Sequence, residues 1–236
     1  MNETTNPAHD CPMNVNLNDL RRRFLGALSE AGAQRSGSGL FEELLARYGE
    51  GHRHYHTIAH VDACLGFLDW YRGLAQQPAR VELALWFHDA IYELHAGDNE
   101  QRSADLAHAR LGELGLPRLA IEDIERHVLA TERHSGGSPD ANLLVDLDLS
   151  VLGAPARTFS RFEREIRAEY AHVPELAFAI GRRALLHGFL ARPEIYRVPA
   201  LREELEARAR LNLTRRIVEL TAQDHSASTP DETTLG

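Results

Sequence analysis

The residues that invite chemistry in this chain are histidines and aspartates set among apolar neighbours. His60 shares a helical face with Cys64, Phe67, Leu68 and Tyr71, at offsets of 4, 7, 8 and 11, so it points toward a core. His88 lines up in the same way with Val81, Ala84, Leu85 and Ile91. Asp89 follows inside Trp86-Phe87-His88-Asp89-Ala90-Ile91-Tyr92, a stretch otherwise almost wholly apolar. A buried carboxylate beside a buried imidazole is costly unless something compensates the charge. A divalent cation does so, taking neutral imidazole and ionised carboxylate as ligands. One histidine on an apolar face is ordinarily a hydrogen-bonded core residue. Two on neighbouring helices, one followed by aspartate, suit a metal site better.

A further acidic position lies in Leu143-Leu144-Val145-Asp146-Leu147-Asp148-Leu149-Ser150-Val151-Leu152. Residues two apart on a helix point to nearly opposite sides, so one of the two aspartates faces a given site. Asp148 shares its face with Leu144, Val151 and Leu152, and Asp146 sits with Leu143 and Leu149. Periodicity favours Asp148 and leaves Asp146 as the alternative.

The elements that must position these groups are helices. Apolar spacing at Leu17, Leu20, Phe24, Leu25 and Leu28 marks the first, and a short helix covers about 40–48. Further helices are expected near 57–74, 79–94, 99–115, 118–134, 142–152, 156–171, 174–191 and 199–221. Pro78, Pro117, Pro155, Pro174 and Pro199 each suit a helix start. Asp98 followed by Gln101 resembles a capping arrangement. The loop Ser135-Gly136-Gly137-Ser138-Pro139 is the clearest internal break, and no alternating strand pattern or repeat is evident. The expectation is an all-α, compact single-domain helix bundle over 16–221. Polar tails at 1–15 and 222–236 are expected to be disordered.

Composition narrows the function. The chain has 236 residues, 43% of them hydrophobic, enough for a sizeable core. No apolar run suits a membrane helix, and the amino terminus MNETTNPAHD has no signal-peptide pattern, so a cytoplasmic protein is expected. Cys11 and Cys64 are the two cysteines, too few and too differently placed to suggest a structural disulfide. A net charge of −9 argues against a nucleic-acid or anionic-membrane partner. The arginine-rich last helix also carries Glu203, Glu204 and Glu206 and reads as a mixed-charge solvated surface. Glycine-rich phosphate loops are absent.

The ordered set H…HD…D on successive helices resembles the HD superfamily of metal-dependent phosphohydrolases. Several segments are similar to a bacterial branch of predicted HD-superfamily phosphohydrolases. These are Arg53-His54-Tyr55-His56-Thr57 with His60, Phe87 to Tyr92, Asp98-Asn99-Glu100 with Ser103-Ala104, and Asp146-Leu147-Asp148-Leu149 with Leu152-Gly153. The later segments Ile166 to Tyr170, Ile195-Tyr196 and Ala209 to Asn212 also fit, so the likeness covers about 40–215.

The resemblance implies an HD-type fold and a divalent ion (Mn, Mg, Fe, Co, Ni or Zn) held by His60, His88, Asp89 and Asp148, or Asp146 in its place. It implies metal-activated water acting on a small phosphoester, nucleotides among the candidates, with Asp89 also able to act as general base. His127 and His134 lie where some HD proteins hold a second metal, although their charged neighbours equally suit a solvated helix surface. Arg53, His56, Tyr92, Asp98, Glu100 and Arg167 are candidate substrate contacts, against plain roles in a polar loop, a helix cap or surface ion pairs. Two other functions compete: a di-iron oxygenase of HD type and a non-catalytic nucleotide-binding regulatory module.

Overall fold

In a computed structural model of the chain, residues 15–134 and 137–227 are described, with the backbone alone for 223–227. Of the tails expected over 1–15 and 222–236, residues 1–14 and 228–236 lie outside them, as does Ser135-Gly136. The described residues form ten α-helices and no strand. By their contacts the residues group into two compact units, Met1–Ser150 and Val151–Gly236.

The first unit contains α1 (Leu17–Glu30), α2 (Ser38–Tyr48), α3 (Ile58–Tyr71), α4 (Pro78–Phe87), α5 (Asn99–Glu113), α6 (Arg118–Leu129) and α7 (Pro139–Asp148). Its centre is α4, where every residue from Val81 to Phe87 is buried. A helix apolar all round has no solvent face to present, and α4 accordingly packs on α1, α3, α5, α6 and α7. Trp86 meets Phe24 and Phe41 edge-on at 5.1 and 5.8 Å. Glu82 is the buried charge on this helix, and Arg23 and Arg72 answer it at 3.0 and 2.9 Å.

Helix starts follow local chemistry. The Asn16 side chain accepts from the Asn18 and Asp19 amides, Thr57 from Ala59, and Ser138 from Ala141. Asp98 stands at the start of α5 but its side chain makes no capping bond, contrary to expectation. Asn99 supplies order there, accepting from the Glu93 amide and donating to the Glu93 carbonyl, both at 3.0 Å.

Helix ends departed from periodicity more. The helix expected over 79–94 stops at Phe87. Beyond it, Arg53 binds the carbonyls of Asp89 and Ala90, and the Ser103 hydroxyl accepts from the Ile91 amide. Those backbone groups have tertiary partners and no need of helical ones. The helix expected over 118–134 ends at Leu129, and a turn follows to His134 at φ 46°. The one expected over 142–152 starts earlier, at Pro139, and ends at Asp148.

The second unit contains α8 (Ala156–Glu169), α9 (Glu175–Leu190) and α10 (Pro199–Ala227), the last running past the expected end at 221. Glu163 of α8 is buried between Arg182 and Arg216, at 2.5 and 3.0 Å. Asn212 donates to the carbonyls of Leu152 and Ala154, both at 2.9 Å, holding the chain before α8 against α10. The approach requires glycine at 153, where a Cβ would lie 2.7 Å from Leu205 Cβ and 2.9 Å from its carbonyl oxygen. Backbone on both sides cannot yield as a side-chain tip could. Gly153→Ala is expected to cost about 2–3 kcal/mol, read as a lowered denaturation midpoint; an unchanged midpoint would show that this contact adjusts freely.

Candidate metal centre

Three helices deliver the cluster. His60 stands in the first turn of α3, just after the Thr57 cap. His88 is the residue immediately after α4, with Asp89 next to it, and Asp148 is the last residue of α7. One ligand atom each from His60, His88 and Asp148 lies within 4.8 Å of the others. The two Nε2 atoms are 3.2 Å apart, and Asp148 Oδ1 is 3.1 Å from His60 and 3.6 Å from His88. Asp89 Oδ2 joins at 3.0 Å from His88 Nε2 and 3.7 Å from His60 Nε2.

The separations among His60, His88 and Asp148 suit one cation. Ligand atoms each about 2.1 Å from a common ion, at angles of about 90–125°, stand about 3.0–3.7 Å from one another. The donor chemistry agrees, two imidazoles and two carboxylates being ordinary ligands for a borderline divalent ion. His88 Nδ1 donates to the Leu85 carbonyl at 2.9 Å. That bond fixes the tautomer and leaves Nε2 with its lone pair toward the cluster.

The backbone favours a cation as well. Asp140, buried in the first turn of α7, accepts from the Gln76 and Gln77 amides at 2.7 and 2.8 Å. It caps α4, whose own N-cap residue Gln77 makes no side-chain capping bond. Both helices are ten residues long, tied at their starts and delivering His88 and Asp148 at their ends, about 15 Å away. They run the same way, so two negative helix-dipole ends converge on the cluster.

Without a cation, protons hold the charges together. Burial works against a charged His88, but Asp89 and Asp148 outweigh it and raise its pKa well above the usual imidazole value. Burial would raise Asp89; the charges of His88 and His56 overcome this and lower it. Asp148 is likewise opposed by burial, yet hydrogen bonds from His134, His60 and His88 hold it well below the ordinary range.

The other expected site residues fall in different places. Asp146 is fully buried outside the cluster, and Asp148 occupies the position at issue between them. Arg53 is not disposed toward a substrate. Its side chain is fully buried and donates to Glu50 and to the carbonyls of His56, Asp89 and Ala90. Its guanidinium also lies 5.3 and 5.4 Å from the rings of Tyr48 and Tyr92. Arg53 therefore fastens the loop before α3 to the turn that carries Asp89. His56 stacks on Tyr92 at 4.2 Å and meets the His60 ring at 6.0 Å, half-buried at the rim. Asp98 is exposed, with Arg102 at 3.9 Å, and Glu100 is half-buried in the first turn of α5. Arg167 belongs to the second unit, where it donates to Glu175 and to the carbonyls of Tyr170 and Val173.

His127 and His134 do not share a helical face, because α6 ends between them. His134 turns to Asp148, its Nε2 3.4 Å from Oδ2. His127 is buried elsewhere, neither on a solvated surface nor with the cluster. Burial lowers its pKa despite Asp140 and Asp123 nearby. Sequence reasoning missed Asp140, although Ser-Pro-Asp before an apolar run is a helix-start signal. It also passed over His52, which donates to the Tyr92 carbonyl at 2.7 Å, and Tyr55, whose ring lies 4.7 Å from that of His60. No signal in the sequence separates those two from a polar loop. The chain matches no protein-family model, no curated protein and no solved structure.

Proposed function

We propose that this chain is a metal-dependent phosphohydrolase of HD type, acting on a small phosphorylated substrate in the cytoplasm. The observation that carries the reading is the cluster of His60, His88, Asp89 and Asp148, with ligand atoms 3.0–3.7 Å apart across the measured pairs. A divalent ion bound there would supply an acidified water and neutralise charge on a phosphoryl oxygen. Asp89, whose side chain keeps 17% exposure, would take the proton of an attacking water. His56, whose charge acts on Asp89, stacks on Tyr92 at 4.2 Å, and the pair would offer polar groups to a bound substrate. Every arginine among the described residues of the first unit already has a polar or ionic partner. Phosphate charge in this site would therefore be met by the cation and imidazoles. No helix among the described residues is long and apolar enough to cross a membrane.

His134 is the observation that favours a second reading. Asp148 turns Oδ1 to His60 and His88 and Oδ2 to His134, as a carboxylate bridging two ions would. His127 does not join it, which leaves the di-iron oxygenase with few donors for a second ion. A phosphoester and nucleotide screen with Mn, Mg, Co, Ni, Zn and Fe(II) tests the proposal. Metal-dependent turnover is expected, lost in His88→Ala and Asp148→Ala. Turnover surviving both substitutions would overturn the site. Two irons per chain with oxygen consumption would favour the oxygenase, and a full metal complement without turnover would favour the binding module.

A further inference from the structure

The second unit carries a different feature. All 26 of the chain's lysine-plus-arginine residues are arginine. Among the described residues, all but three of them have a hydrogen-bond, ionic or ring partner; the exceptions are Arg157, Arg164 and Arg215. Two of those three line one cleft. It lies between α8 and α10, has a volume of about 380 Å³, and takes Arg164 from the first helix and Arg215 from the second. That volume is at the small end of the usual range for ligand pockets.

The acidic residues in the same cleft are already satisfied. Glu163 lies between Arg182 and Arg216, Glu175 pairs with Arg167, and Glu219 pairs with Arg216. What remains unanswered is positive, in a chain whose net charge is −9. Both guanidiniums are exposed and so retain their full set of donors for a ligand. Phe159 and the Ser160 hydroxyl complete the lining with an apolar floor and a neutral donor. A planar guanidinium binds carboxylate or phosphate through two parallel hydrogen bonds, and two of them facing one cleft suit a ligand with more than one negative charge.

We propose that this cleft is a binding site for a small multivalent oxyanion, a phosphate ester or a di- or tricarboxylate. It is separate in residues from the metal cluster and independent of the function assigned to that cluster. The test is calorimetric titration of the full chain, stripped of metal and dialysed free of chelator, with pyrophosphate and with citrate. Saturable one-to-one binding is expected, also in His88→Ala, weakening as ionic strength rises. Arg164→Ala and Arg215→Ala should each weaken it about tenfold, while Arg157→Ala, with the same charge change outside the cleft, should leave it nearly unaltered. The better of the two anions identifies the ligand class. Absence of saturable binding at millimolar anion overturns the proposal. So does equal weakening by Arg157→Ala, which would mark a general charge effect, or loss of binding in His88→Ala, which would move the anion to the imidazoles of the metal cluster.

Discussion

His88→Ala and Asp148→Ala should each abolish stoichiometric binding of a divalent ion, measured by metal content after gel filtration and by titration calorimetry. Loss of an outer-shell partner alone costs about 10–100-fold in affinity, and these substitutions remove ligand atoms themselves. Asp146→Asn is the contrasting variant, since Asp146 lies outside the cluster; it should keep the ion. Retention of metal by Asp148→Ala together with loss in Asp146→Asn would reverse the assignment.

The pH dependence follows from the same groups. In the metal-free chain His88 is held protonated above its usual range by Asp89 and Asp148. A cation requires that imidazole neutral, so binding should release a proton, and affinity should rise with pH toward the raised value. Calorimetry in buffers of different ionisation enthalpy measures the proton directly; affinity flat across about pH 6–8 would contradict this. For stability of the metal-free chain the signs differ. The His88 contribution is full below its unfolded pKa of about 6.5 and is lost as pH rises through the folded value. Those of Asp89 and Asp148, both lowered, are full above about 3.9 and lost as pH falls further.

Arg53→Met should destabilise the first unit by about 3–5 kcal/mol. Methionine approximates the alkyl stem, so the loss isolates the guanidinium. Its removal leaves the carbonyls of His56, Asp89 and Ala90 short of a donor, and two of those belong to the turn that holds the acidic ligand. Metal affinity should fall with stability. Arg53→Lys should recover only part of either, because one ammonium cannot span three carbonyls as the fork does. Urea denaturation followed by metal titration separates this role from the alternative. Were Arg53 a phosphate contact, the denaturation midpoint would hold and only KM would rise.

The class of fold and the candidate ligands were legible in the sequence because each depends on local pattern. The apolar circumference of 81–87 requires a buried helix wherever it packs. His60 and His88 stand out because a titratable group on an apolar face is costly in any fold that buries that face. The order of His60, His88, Asp89 and Asp148 along the chain is likewise a property of sequence alone.

Other decisions belonged to contacts between distant segments. Periodicity carries a helix onward until something else binds its backbone, and here Arg53 and Ser103 bind residues 89–91. The helix that looked continuous to residue 94 therefore ends at Phe87, which frees His88 and Asp89 to turn toward one point. His127 and His134 separate for a similar reason, the turn after Leu129 sending one to the interior and the other to Asp148. Arg53 has the residue type of a phosphate ligand, and only its burial among three carbonyls shows it as a fastener. The metal candidate began as two buried imidazoles and a choice of carboxylates. Residue type and spacing indicated which groups call for a cation; what ties the start of α7, the helix that carries both aspartates, to the start of α4 is the cap from Asp140, 63 and 64 positions away from the amides it binds, a pairing that no local periodicity encodes.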